Sequence, residues 1–209
     1  MPNHVDNRLT VTGGETELKQ FISATHLGEN EYDFNKLVPL DPRASKKIVN
    51  IIKETGVEQV FSAFADADTD GFDGYNHACQ MWGSKWGAYD IQPSGAWHQV
   101  LVNGDYRDVA FTYNSAWSPA GELMRRISAQ FPTLSFGTWY TEEGMGFCGW
   151  ELYKDGELIG NGSANMDNLP NCDWEDDESM EKYDQAMDVV FEKLESELEE
   201  ATMELSMGQ

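Results

Sequence analysis

The stretch QVLVNGDYRDVAFTYNSAWSPAGELMRRISAQFPTLSFGTWY, residues 99–140, decides the fold class. Gln99-Val100-Leu101-Val102 and Asp108-Val109-Ala110-Phe111-Thr112-Tyr113 are strand-like runs flanking Asn103-Gly104, a dipeptide suited to the positive φ angles of a tight hairpin. Ser118-Pro119 signals a helix start; Leu123, Ile127 and Phe131 keep helical spacing, and Pro132 stops the run. Strand character resumes at Leu134–Tyr140. Strand, strand, helix, strand is the signature of a split βαβ unit, in which a helix returns the chain to an antiparallel sheet.

Outward from this stretch the same alternation continues. Downstream, Phe147–Tyr153 and Glu157–Asn161 read as strands joined by Asp155-Gly156, another hairpin turn. Tyr183, Met187, Val190, Leu194 and Leu198 then recur every three or four residues, the seam of an amphipathic helix. Upstream, Val5, Asn7, Leu9 and Val11 alternate with Asp6, Arg8, Thr10 and Thr12, a half-buried strand ended by Gly13-Gly14. Leu18, Phe21 and Ile22 follow at helical spacing. Asp41-Pro42 opens a helix through Ala44, Ile48, Ile51 and Ile52, and Val57, Val60, Phe61 and Phe64 make another. Trp86-Gly87-Ala88-Tyr89-Asp90-Ile91 reads as a strand. The sequence thus predicts an α+β fold with a mainly antiparallel sheet, close to a ferredoxin-like split βαβ. One domain spans residues 1–164, with 29–84 as a mostly helical insertion; residues 165–209 are an acidic turn and an amphipathic helix packed on it.

Charge narrows the functional classes. The 209 residues hold 37 Asp and Glu against 14 Lys and Arg, a net charge of −23. Such a surface repels phosphates, which argues against direct binding to DNA, RNA or an anionic membrane. No apolar run approaches the ~20 residues of a membrane-spanning helix. Three dispersed cysteines, Cys79, Cys148 and Cys172, do not suggest a disulfide framework. With no basic, apolar leader at Met1–Asp6, the expected location is the cytoplasm.

A family resemblance accompanies these patterns. Met1-Pro2-Asn3-His4-Val5, Asn7-Arg8-Leu9, Phe34-Asn35-Lys36-Leu37-Val38-Pro39, Trp82-Gly83-Ser84-Lys85-Trp86-Gly87-Ala88-Tyr89-Asp90, Ala116-Trp117-Ser118-Pro119 and Phe131-Pro132 resemble a set of plasmid- and phage-borne proteins typified by YubB. The resemblance covers roughly residues 1–164. It departs at Ala120, where a second proline is expected after Pro119, and in the acidic tail. It implies a mobile-element origin, a ferredoxin-like C-terminal part and a host-cell cytoplasmic location. It supplies no catalytic residues and no cofactor.

The chemical motifs are weighed individually. Asp66-Ala67-Asp68-Thr69-Asp70-Gly71 has the oxygen spacing of the first half of a calcium loop, with Asp66, Asp68 and Asp70 as ligands. Position 12 is His77 instead of a bidentate Glu, so a solvated acidic loop is the plainer reading. His77-Ala78-Cys79 has no second pair at zinc-finger spacing. The four histidines lie in no recognisable nucleophile motif. Trp82, Lys85, Trp86, Tyr89, Asp90 and Trp117 could line a pocket in an enzyme or small-ligand-binding protein, although clustered tryptophans more often fill a core.

The acidic tail is the more informative feature. Residues 165–209 carry 15 acidic and two basic residues, more than half the net charge. Asp173, Glu175, Asp176, Asp177 and Glu178 precede the last helix; Glu181, Asp184, Asp188, Glu192, Glu195 and Glu199 then form a stripe beside its apolar seam. At 1.5 Å per residue that stripe spans ~27 Å, comparable to several successive phosphates of a nucleic-acid strand. A solvated helix face is the plain alternative. The expected function is therefore non-enzymatic: inhibition of a host DNA- or RNA-handling or defence protein by a DNA-mimicking acidic surface.

Overall fold

The computed structural model describes residues 3–25, 32–44, 73–93, 108–173 and 175–207. Strand β1 (His4–Thr12) shows the alternation expected of it, with Val5, Asn7, Leu9 and Val11 buried. Helix α1 (Glu15–Thr25) buries Leu18, Phe21 and Ile22, and Glu15 and Glu17 complement the positive end of its dipole. The short α2 (Phe34–Leu37) is followed by α3 (Gly74–Trp82). Asp73 caps α3 by accepting from the Tyr75 and Asn76 amides, and Gly83 ends it at φ 74°. Then come β2 (Tyr89–Pro93), β3 (Asp108–Ala116), α4 (Gly121–Gln130), β4 (Ser135–Glu142), β5 (Phe147–Lys154) and β6 (Glu157–Asn165). A 31-residue helix, α5 (Asp177–Met207), completes the described chain.

The six strands form one sheet in the order β2-β3-β1-β4-β5-β6, with every neighbouring pair antiparallel. Its β4-β1-β3-β2 portion, with α1 after β1 and α4 between β3 and β4, is the ferredoxin-like split βαβ. The protein is therefore α+β. Strands β5 and β6 extend it by hairpins, the second turning at Asp155 (φ 49°) and Gly156 (φ 80°).

The sheet has two unlike faces. One is covered by α1 and α4 over a core that includes Leu9, Phe21, Phe34, Phe111, Leu123, Ile127 and Phe136. Its rings meet edge to face, as in Tyr32 on Phe111 at 4.8 Å and Phe21 on Phe136 at 5.5 Å. Residues of α2 and α3 belong to this core, and Trp82 donates its indole N–H to the Val38 carbonyl at 2.8 Å. On the opposite face, α5 packs against β4, β5 and β6. Leu194, Phe191, Leu198 and Met187 meet Cys148, Trp150, Leu152 and Trp139 there.

Three boundaries differ from expectation for local reasons. β2 begins at Tyr89, not Trp86, because Trp86 is drawn into the core while Ser84 Oγ bonds the Trp86 carbonyl and the Ala116 amide. α4 begins at Gly121 because Ser118 Oγ donates to the Gly83 carbonyl and so does not cap a helix. β6 runs on to Asn165, paired with Phe147. The Asn103-Gly104 turn, the helix at Val57–Phe64 and the continuation of the Asp41-Pro42 helix past Ala44 lie outside the described residues.

Candidate functional site

The site is built where α5 crosses the sheet. At about 100° per residue, Glu181, Asp184, Asp188, Glu192, Glu195 and Glu199 fall within an arc of roughly 80°. All are exposed except Glu195, which is half-buried. The helix can lie close because β4 and β6 carry glycines beneath it. A Cβ on Gly137 would sit 3.4 Å from Leu198, and one on Gly162 would sit 2.4 Å from Trp150 Nε1. Trp150 fills that second gap and donates its indole N–H to Glu197 at 3.2 Å. The helix start is tied down by Ser179 Oγ, which accepts the Asp173 amide at 2.8 Å, and by Asp173, which accepts the Glu175 amide at 3.1 Å. Asp176 accepts the Glu178 amide, and Asp177 and Glu178 occupy the first turn, where the dipole favours anions.

The acidic stripe reaches the sheet at Arg8, whose guanidinium bonds Glu195 at 2.8 Å. Arg8 also lies 5.6 Å from the centre of the Trp139 ring, which Phe191 meets edge-on at 5.1 Å. Two clefts open beside Arg8. One, of about 510 Å³, runs under α5 and is lined by Thr10, Ser135, Gly137, Glu195, Glu199 and Met203 among others. The other, of about 410 Å³, lies on the part of the sheet α5 leaves open, and is lined by Asp6, Arg8, Asp90, Gln92, Asn114 and Trp139 among others. Its charged groups are Asp6, Asp90 and Arg8, the last already paired with Glu195, and the Tyr89 hydroxyl beside it is pushed up to about 12 by burial first and then by the Asp90 and Asp6 charges. With Arg8 neutralised by Glu195, the two aspartates and the polar floor between them suit a cationic, hydrogen-bonding partner.

The sequence singled out the α5 carboxylates and, of this floor, only Asp90. Asp6 and Arg8 carry a weak signal, lying on the outward side of an alternating strand; Asn114 and Gln92 carry none. The Trp-rich set is divided among three environments. Trp82 and Trp86 are core. Lys85 Nζ stacks 3.8 Å over Trp117, while Tyr89 hydrogen-bonds His4 at the start of β1. Asp90 belongs to the sheet-face cleft. His77 Nε2 accepts the Asp41 amide at 3.1 Å, and Cys79 is half-buried with its thiol pushed up by burial. Asp66, Asp68 and Asp70 lie outside the described residues; among the described ones, no three His, Cys, Asp or Glu side chains are grouped as a metal site. No helix among the described residues is long and apolar enough to cross a membrane.

Comparison with known proteins matches residues 96–190 to the family described as the ferredoxin-like domain in Api92-like protein. That match covers less than half of the chain and makes those residues similar to the Api92-like ferredoxin-like domain. The chain is also similar to the uncharacterized protein YubB of Escherichia coli (strain K12), at 26% identity over 104 residues, so the YubB-like resemblance holds. The match covers 45% of this chain and 66% of YubB. A crystal structure of the protein api92 from Yersinia pseudotuberculosis aligns with 79% of this chain and 99% of its own, at 13% identity and a TM-score of 0.45. The matched residues include β3, α4, β4, β5, β6 and the first half of α5; the central strand β1 lies outside them.

Proposed function

We propose that this protein is a non-enzymatic factor of a mobile element that binds and inhibits a host nucleic-acid-handling or defence protein in the host cytoplasm. The carrying observation is the six-carboxylate arc on α5, set rigidly on the sheet by the Leu194, Phe191 and Leu198 seam. A fixed row of carboxylates can occupy the basic surface that such a partner uses for phosphates, and opposite potentials speed the encounter. Neither direct nucleic-acid binding nor a cofactor forms part of this reading. The Trp-rich pocket finds less support, since two of its tryptophans are core and Lys85 is engaged with Trp117.

The test is the association rate with a partner captured from host lysate, measured against ionic strength. Replacing Glu181, Asp184, Asp188 and Glu192 with Lys should slow association at least tenfold at low salt and flatten its salt dependence. The exposed side chains lie off the seam, so the melting temperature should hold. Equal rates and equal salt slopes would reduce the arc to a solvated helix face.

A further inference from the structure

Four polar side chains on the floor of the open cleft have no hydrogen-bond partner among the described residues: Asp6, Asp90, Gln92 and Asn114. They are brought together by strand register. Asp6 pairs with Asn114, and Asn114 pairs on its other side with Tyr89, the residue before Asp90. In the next row Arg8 pairs with Thr112, and Thr112 with Gln92. Between Tyr89 and Gln92 the register shifts, and Asp90 takes the left-handed φ of 51° there. Bulges of this kind re-aim side chains, and Asp is among the few residues that tolerate such a φ. Asp6 and Asp90 therefore stand on the two strands that flank β3, two strand spacings or roughly 10 Å apart across the sheet, with the Asn114 carboxamide between them.

We propose that this cleft seats an arginine side chain of the protein partner, its guanidinium held between the Asp6 and Asp90 carboxylates over Asn114. The inference rests on the reading of α5 as a partner-binding surface and adds where, and by which residue type, the partner is gripped. Arginine fits better than lysine for three reasons. Its planar fork presents five donors in fixed directions, matching two carboxylates and two carboxamide oxygens spread across a sheet. Its charge is delocalised and weakly hydrated, so less is lost on entering a cleft. And one wall of the cleft already holds a guanidinium against a carboxylate: Arg8, its charge met by Glu195, lies over the Trp139 ring. The partner would then lie across the open sheet with the acidic arc along its flank, instead of on the outer side of α5.

The experiment uses the full chain and two blocked synthetic probes, tetra-arginine and tetra-lysine peptides, titrated at low salt. Side-chain amide resonances of Asn114 and Gln92 report the cleft directly. The wild type should bind the arginine peptide tighter, with those two resonances shifting first. The double variant Asp6→Asn, Asp90→Asn should lose about tenfold for the arginine peptide and at most about threefold for the lysine peptide, because two charge-assisted contacts are weakened without changing shape. Asn also tolerates the conformation at position 90. As a gain-of-charge arm, Asn114→Asp should tighten the arginine peptide about threefold, which keeps the question answerable if the double variant fails to fold. If the double variant binds both peptides like the wild type while the four-lysine reversal on α5 abolishes binding, the cleft proposal falls and the partner reading stands. Equal affinity of the wild type for both peptides also overturns the cleft. If the double variant loses arginine selectivity but the α5 reversal leaves partner association unchanged, the cleft stands and the partner reading falls.

Discussion

The two faces of the sheet solve different problems. The face under α1 and α4 is dry and aromatic: Tyr32, Phe34, Phe111, Tyr113, Phe136 and Trp82 interlock, and nearly every side chain is fully buried. The face under α5 is only half covered. Its apolar part, around Trp150 and Leu152, is sealed by one helix, and the rest is a polar floor reaching solvent at Asp6, Arg8 and Thr112. The first face makes the fold; the second spends less apolar surface and keeps groups available for recognition. The same strand serves both, since β1 sends Val5, Leu9 and Val11 one way and Asp6, Arg8 and Thr10 the other.

The largest test of this division removes β1. Because β1 is hydrogen-bonded to β3 on one side and β4 on the other, residues 96–190 alone lack the centre of their sheet. That fragment should show no cooperative thermal transition; a sharp melt with near-ultraviolet dichroism would mean that the domain closes without β1. Next, Phe111→Ala on the aromatic face should cost about 3–5 kcal/mol in denaturant unfolding, and Leu194→Ala under α5 nearer the lower end of about 2–5 kcal/mol. Equal costs would break the contrast between the faces. Gly162→Ala should cost about 1–3 kcal/mol by overpacking Trp150, with a red shift in tryptophan emission as its indole leaves Glu197.

A smaller effect concerns Glu151, on the dry face. Burial raises its pKa, partly opposed by the hydrogen bond it accepts from the Tyr153 hydroxyl at 2.7 Å. A raised native pKa means that the native state holds the proton more tightly than the unfolded chain. Its stabilisation is complete below the ordinary Glu range and is lost as pH rises through the native value. The melting temperature should therefore decline over that window, and Glu151→Gln should flatten the decline; an unchanged slope would place the titration elsewhere. Smallest is Arg8→Met: the Arg8–Glu195 bridge is about half exposed, so its loss should change stability by about 0–1 kcal/mol.

These differences also explain what was legible in the sequence. The α+β class and antiparallel pairing follow from period-two runs such as Val5–Val11 and from Pro132 and Asp155-Gly156, which are local signals. The acidic arc was legible for the same reason, since helical spacing is fixed by the backbone. Of the cleft floor only Asp90 was, because the floor is assembled by register across β1, β2 and β3, from residues up to 108 positions apart in sequence such as Asp6 and Asn114. The Trp-rich stretch misleads in the opposite direction: its closeness in sequence does not survive the turn at Gly83, which sends Trp82 and Trp86 inward and leaves Lys85 on the rings of Trp117 and Tyr75.

The central place of β1 has a consequence in time. During synthesis the strand ending at Thr12 emerges long before its partners Asp108–Ala116 and Ser135–Thr141. At about 5–20 residues per second, the ribosome needs roughly 6–26 seconds to supply the second of them. Throughout that interval an alternating apolar strand has two open edges, the condition under which unpaired strands seek other chains. Arg8 and Asp6 on its outward side then act as gatekeepers, and a variant that neutralises both should aggregate during expression more than its folded stability accounts for.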